Sequence, residues 1–376
     1  MAPTPTNTFE RVLLLSPVDP AGPPGGREML SRTNLVLLRE LLGERLFLIR
    51  PARTTSSYRD AWRGYVDGVD AAFIAEVLAS IDLNGITRMF VDGSNFGAAV
   101  AAVKRARPDV RITTFFHNVE ARFFWGSFRA RRSVKALGVL AANYVAERAA
   151  VRHSDILVTL SARDSDKLLR LYGRGADAVA PIVLEDRLPS TPPVPMPGGY
   201  LLFVGGGFYA NIAGIRWFAR NVALRIDRPV MVVGRGMDTL AVEFAGLDNV
   251  ILVGPVDDLA PWYVGAALVI APIFDGSGMK TKVAEALMHG KHVAGTAEAF
   301  SGYGADIVAA NALCADADAF VAAVEAAPVA AFDPTMRALY VRDHSPAAAR
   351  ARLAAVLRLN VPAPVDRTHD GAARLS

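Results

Sequence analysis

Cysteine is almost missing from this sequence. Its 376 residues include one, Cys314, which excludes an internal disulfide framework and a cysteine-built zinc site. Long apolar runs are missing too: none reaches the roughly eighteen uncharged residues of a spanning helix. The opening residues, MAPTPTNTFE, lack a basic region followed by an apolar block and do not read as a secretory signal. No helix-turn-helix, zinc finger or aromatic RNA-binding motif is visible, so nucleic acid is not an expected partner. Cytoplasm is the expected compartment.

What is present is a large core. Apolar residues make up 52% of the chain and mean hydropathy is +0.26, enough for two domains of ordinary size. The net charge of +4 is shared unevenly. Residues 1–188 hold 26 basic and 20 acidic side chains, and the remainder holds 15 and 17. The first half therefore carries the basic surface, which favours an anionic partner such as acidic lipid or an anionic substrate.

Apolar strands alternate with helical patterns along both halves. The first set of strands is RVLLLSPV (11–18), LFLI (46–49), RMFVDG (88–93), RITTFF (111–116) and DILVTL (155–160). Helices are expected from Gly26 to Leu42, near Ala71–Ile81 and over 96–107. PSTPPVPMPGG (189–199) then packs five prolines and two glycines into eleven residues and reads as a linker. The rhythm restarts with YLLFVG (200–205), VMVVG (230–234), VILVG (250–254) and LVIAPI (268–273). Continuously apolar strands alternating with helices predict parallel sheets covered on both faces, here two doubly wound α/β domains. The expected division is 10–188, a linker at 189–199, and 200–333. Two C-terminal helices follow within 334–358, able to pack back on the first domain, with mobile tails at 1–9 and 361–376. Open sheets of this kind bind ligands beyond the carboxyl ends of their strands, so two of them can share one cleft.

The most informative stretch is DGSGMKTKVAEALMHGK (275–291). It follows an apolar strand with a Gly-Ser-Gly turn and then a helical pattern. That order makes a phosphate seat, because bare glycine backbone and the free N–H groups of a helix start can surround an anion. Lys280 and Lys282 add positive charge there. Glu285, further along the helix, is placed to accept hydrogen bonds from two ribose hydroxyls. The alternative is a tight turn before an ordinary amphipathic helix with lysines in solvent.

Several stretches in order resemble the retaining family-4 glycosyltransferases of the GT-B fold, closest to members from bacterial capsule and surface-polysaccharide genes. They are LLFVGGGFYANIAGIRWF (201–218), VVGRGM (232–237), VGPVDDLAPWY (253–263) and APIFDGSGMKTKVAEALMHGKHVAGT (271–296). FFHNVE (115–120) and ERAAVRHSDILVTLSARDSDKLLRLYG (147–173) fit more loosely. The resemblance implies a two-domain enzyme that moves a sugar from a nucleotide-sugar to a hydroxyl of a glycan acceptor, with no cofactor and no required metal. It puts Gly205, Gly206 and Gly207 near the donor diphosphate and Val256-Asp257-Asp258 against the base. Gly278, Met279, Lys280 and Thr281 would surround diphosphate and sugar, and Glu285 would hold the ribose. His117 would reach the donor sugar, and Glu120 would orient the acceptor. The sequence departs from the family in two places. The family's first glutamate falls on Ser277, with Asp275 out of register. The usual Arg and Lys after the Gly205 loop are absent, which leaves Lys280, Lys282 or Arg235 to supply the charge. A nucleotide-sugar 2-epimerase and a non-catalytic nucleotide-sugar binder share the fold and stay open.

Other motifs carry less. Asp164-Ser165-Asp166 spells a metal-binding Asp-x-Asp, but Ser161 three residues before Asp164 is a helix-start capping pair. Asp316-Ala317-Asp318 is also expected at a helix start. Gly234-Arg235-Gly236 lacks the third glycine of a dinucleotide fingerprint. His153, His289, His292 and His344 are expected at the surface or at helix ends. Residues 121–146 contain no acid and interleave Arg122, Arg129, Arg131, Arg132 and Lys135 with Phe123, Phe124, Trp125 and Phe128. Such a helix suits an acidic membrane surface, and equally an aromatic core face with its bases in solvent.

Overall fold

Short runs of Val, Ile, Leu and Phe, each closed by glycine or a polar residue, set the strands. The computed structural model describes residues 10–17, 26–52, 63–188, 199–276, 278–329 and 332–358. In the first half the strands are β1 (Val12–Leu15), β2 (Leu46–Ile49), β3 (Arg88–Asp92), β4 (Arg111–Phe116), β5 (Ile156–Thr159) and β6 (Ala178–Val179). The helices are α1 (Gly26–Leu42), α2 (Ala71–Asn84), α3 (Gly97–Ala106), α4 (Glu120–Arg131), α5 (Val134–His153) and α6 (Ala162–Tyr172). The second half runs β7 (Tyr200–Val204), α7 (Tyr209–Asn221), β8 (Val230–Val233), α8 (Ala241–Phe244), β9 (Val250–Gly254), α9 (Ala260–Gly265) and β10 (Ala266–Ala271). It continues through α10 (Thr281–Met288), β11 (Val293–Gly295), α11 (Ala305–Ala309), β12 (Ala312–Leu313) and α12 (Ala317–Ala326), and ends in α13 (Pro334–Asp343) and α14 (Pro346–Val356).

Side-chain caps mark many helix starts. Ser161 accepts from the Asp164 amide, and Asp316 from that of Ala319. Both acid pairs singled out above are therefore helix-start features, and Asp164 is further tied to Lys167 at 2.8 Å. Burial changes the picture for two histidines. His289 and His344 sit at the ends of α10 and α13 but are buried rather than on the surface.

The strands form two six-stranded sheets, and the pairings within them are parallel. The first has the order β2-β1-β3-β4-β5-β6 and the second β12-β11-β10-β7-β8-β9. Each order reverses once, between β1 and β3 in the first and between β7 and β10 in the second. At such a reversal the loops leave in opposite directions and open a crevice at the carboxyl edge of the sheet.

The two halves share one apolar cluster. Leu30, Leu35 and Leu38 of α1 belong to it with Leu287 and Met288 of α10, Met336 and Tyr340 of α13, and Leu353 of α14. Tyr340 donates its hydroxyl to the Leu184 carbonyl at 2.8 Å, and Leu184 N–H donates to the His344 carbonyl at 3.0 Å. The last two helices are thereby fixed against the first half. The expected linker (all but Gly199), both expected tails, residues 18–25 and 53–62, and Ser277 lie outside the described residues.

Candidate functional site

The crevice of the second sheet is built by four strand ends. After β7 the chain turns through Gly205 and Gly206, and after β8 through Gly234 and Arg235. These turns interlock: Gly205 N–H donates to Val233 O at 2.9 Å, and Gly207 N–H to Arg235 O at 2.7 Å. Gly234 has a φ of +148°, and a Cβ there would lie 2.0 Å from the Gly205 carbonyl. Only glycine fits that crossing. A cavity of about 600 Å³ opens beside it. Gly205, Gly206, Arg235 and Val256 line it, as do Met279, Lys280, Thr281, Lys282 and Glu285. Gly207 instead turns against Gly236, whose carbonyl would lie 2.9 Å from a Cβ on Gly207.

The floor of the cavity is the start of α10. Lys280 occupies the cap position without capping through its own side chain, and the Tyr303 hydroxyl accepts from the Ala284 amide at 3.0 Å, leaving the Thr281 and Lys282 amides facing the cavity. Thr281 and Lys282 thus bring the positive end of the helix to the cavity. Lys282 is buried. Its Nζ donates to Asn211 Oδ1 at 2.8 Å and sits 4.3 Å from the centre of the Phe203 ring. Burial pushes its pKa down to about 7. Lys280 lies beside the turn with its Nζ paired with Glu298 at 3.1 Å and with the Gly278 carbonyl at 3.0 Å. Burial lowers its pKa, and Glu298 opposes that. One turn on, Glu285 accepts from the Tyr263 hydroxyl at 2.7 Å, and burial raises its pKa. Pro255, Val256 and Leu259 make an apolar wall nearby.

The first half supplies the other wall. Phe123 of α4 lines the cavity and stacks on Phe208, with centroids 5.9 Å apart and planes 12° apart. Gly278, at φ +64°, lies against the His117 backbone, where a Cβ would come within 3.2 Å of the carbonyl. Arg163 of α6 reaches across to Glu298 at 2.7 Å. Glu298 therefore joins Lys280 in the second half to Arg163 in the first.

His117 and Glu120 are not among the residues lining the cavity. His117 is buried with its Nε2 2.8 Å from Asp92 Oδ1. Asp92 also accepts from Asn34 Nδ2 at 2.9 Å and from Ser16 Oγ at 2.8 Å. Burial alone would raise the Asp92 pKa, but His117 and Asn34 carry it down to about 2. This cluster fills the reversal point of the first sheet, since Ser16 follows β1 and Asp92 ends β3. Glu120 opens α4; its N–H donates to Glu147 Oε1 at 2.8 Å, and its carboxylate accepts from Asn118 Nδ2 at 3.2 Å. Glu147, from α5, thereby caps α4 and fixes the direction in which that helix leaves the sheet.

Sequence reasoning missed Asp92, Asn211, Tyr263, Glu298 and Glu147. Asp92 had a signal, a lone acid closing an apolar strand in RMFVDG. The others had none, because each meets its partner only through the fold. Among the described residues no group of three or more His, Cys, Asp or Glu side chains could hold a metal ion. No described helix is long and apolar enough to cross a membrane.

Residues 198–327 match the family model described as "Glycosyl transferases group 1". No curated protein sequence matches the chain. Solved structures are similar over nearly its whole length. A sucrose-phosphate synthase from Thermosynechococcus elongatus is 15% identical, with a TM-score of 0.69, over 93% of this chain and 98% of that one. HepE of Anabaena, solved in complex with UDP, is 14% identical with a TM-score of 0.66, over 93% and 99%. A glycosyltransferase from Rickettsia africae is 12% identical with a TM-score of 0.64, over 93% and 100%. The fold is thus that of the GT-B glycosyltransferases, and the segment 198–327, which builds most of the cavity, carries the match that supports a glycosyltransferase.

Proposed function

We propose that this protein transfers a sugar from a nucleotide-sugar to a hydroxyl of a glycan acceptor. One observation carries this: a single cavity sets a helix start, a buried ammonium group and a half-buried carboxylate in a row. That row suits diphosphate at Thr281 and Lys282, ribose at Glu285 and a base against Val256. UDP and UDP-glucose in HepE, which has the same fold, support such a donor.

The proposed chemistry is electrostatic. As the bond from the sugar's anomeric carbon to the diphosphate breaks, the α10 amides, Lys282 and Lys280 stabilise the departing oxygens. The acceptor oxygen bonds to the anomeric carbon, and its proton passes to the diphosphate. This route retains configuration and includes no resident metal. Asp92 holds His117 in one orientation next to the Gly278 turn, and Glu120 starts the helix that carries Phe123 to the cavity. We place the reaction in cell-surface polysaccharide assembly, such as a bacterial capsule, on a lipid-linked acceptor at the inner face of the plasma membrane. The bases and aromatics of α4 support that placement.

Nucleotide-sugars are expected to raise the melting temperature by mass action. Transfer is then measured with the stabilising donor. Turnover of donor alone would identify an epimerase, and binding with no transfer to any acceptor would identify a binder. Lys280→Ala should lower turnover about 100-fold in a protein that still folds and melts cooperatively. Full turnover in that variant would overturn the mechanism.

A further inference from the structure

Two further hollows continue from the donor cavity along α4. The first is a chamber of about 400 Å³ between Arg122, Arg129, Arg132, Tyr209 and Asp275. It shares Phe123, Asp275 and Gly276 with the donor cavity. The second is a groove of about 480 Å³ between α4, α5 and α6, lined mainly by Trp125, Leu137, Leu140, Tyr144, Val145 and Leu171. It shares Arg122 and Trp125 with the chamber. The three hollows thus form one path whose character changes from donor seat to basic chamber to apolar groove.

The groove exists because α5 is apolar on two faces. Ala142, Ala146, Ala150 and Val151 are buried inward. Leu137, Tyr144 and Val145 recur at helical spacing on another side and stay exposed, at 48%, 36% and 43%. A surface helix ordinarily turns polar residues outward, so a second apolar stripe signals something that covers it. The chamber beside it is equally unbalanced. Arg122, Arg129 and Arg132 are exposed, and no described side chain forms an ion pair with them. Asp275 is the acid lining the chamber, and it stands on the side shared with the donor cavity.

Resting on the transferase reading above, we propose that this path is the acceptor site and that it takes one class of molecule: a phosphate-bearing glycan on a hydrocarbon chain. The order of the walls sets its direction. The reacting hydroxyl lies by Asp275 and Tyr209, the phosphate meets the three arginines, and the chain lies along Trp125, Leu137 and Tyr144. Arginine matches a phosphate through paired N–H donors. The hydrocarbon gains by leaving water on the exposed stripe.

Farnesyl phosphate is a soluble probe of this chemistry, with farnesol and inorganic phosphate as its two halves. The full chain should bind farnesyl phosphate saturably and at least about tenfold more tightly than either half. Arg129→Glu with Arg132→Glu should remove that advantage over farnesol. Leu137→Glu should weaken farnesyl phosphate and farnesol alike, about tenfold. Equal affinity for farnesyl phosphate and farnesol, or no effect of the arginine pair, overturns the proposal. So does binding only to phosphatidylglycerol vesicles, which would make the face a bilayer contact. Melting shifts with nucleoside diphosphates, run on the same samples, separate the two readings. A nucleotide shift without farnesyl phosphate binding sinks the acceptor site alone, and no nucleotide shift sinks the transferase.

Discussion

Both sheets reverse strand order once, and the two reversal points are used in opposite ways. In the second sheet the loops after β7 and β10 draw apart around glycine backbone and leave a cavity of about 600 Å³. In the first, Ser16, Asn34, Asp92 and His117 close on one another and fill the space with a buried hydrogen-bonded cluster. The same topology thus makes either a seat for a ligand or a rigid post. What decides is the residue at the strand end: glycine after β7 and β8, a hydroxyl after β1 and an acid closing β3. Damage to the seat should act mainly on binding, and damage to the post mainly on stability.

The largest effect is expected at Gly234. Gly234→Ala puts a Cβ against the Gly205 carbonyl and strains a positive φ, so nucleoside diphosphate affinity should fall by more than about 100-fold by calorimetry. The matching change in the post is Asp92→Ala. It removes the carboxylate that Ser16, Asn34 and His117 share and should cost about 2 kcal/mol of stability in denaturant melts, with nucleotide affinity held within about twofold. The post also has an acid limit. Because the folded pKa of Asp92 lies below its unfolded value, its contribution is complete above about pH 4 and is lost as pH falls towards about 2.

Next in size is Lys282→Met, which removes the buried cation and should weaken nucleoside diphosphate about tenfold while leaving the bare nucleoside nearly unaffected. With a pKa of about 7, the free protein is half protonated near neutrality. Diphosphate favours the charged form, so binding takes up a proton. Affinity should fall as pH rises above about 7, by up to about tenfold in all, and Lys282→Met should flatten that fall. The smallest effect is expected from Glu285→Gln. Affinity should fall about fivefold for a ribose donor and hardly at all for its dideoxyribose counterpart. Equal losses on both sugars would remove Glu285 from the ribose role.

The elements were largely legible because each is a local pattern. The Gly26–Leu42 helix and the Arg111–Phe116 strand have the ends that apolar runs and their glycine and polar boundaries foretell. The two-residue strand β6 was not legible, since a strand that short carries no alternation. In the cavity, the glycine turn and the helix start are readable as one stretch. The state of their charges is not. Lys282 finds Asn211 seventy-one positions away, and Lys280 finds Glu298, which no motif marks. His117 stood out at a strand end, but the carboxylate that orients it lies one strand over, and only sheet order brings the two together.

The shared apolar cluster has a consequence for how the chain matures. Leu30, Leu35 and Leu38 find cover partly on Tyr340 and Leu353, which a ribosome adds more than three hundred residues later. The amino-terminal lobe therefore waits, with one flank of its first helix wet, until α13 and α14 have been made. A fragment cut at the proline-rich crossing would keep that wet flank permanently and should be the stickier of the two lobes when each is expressed alone.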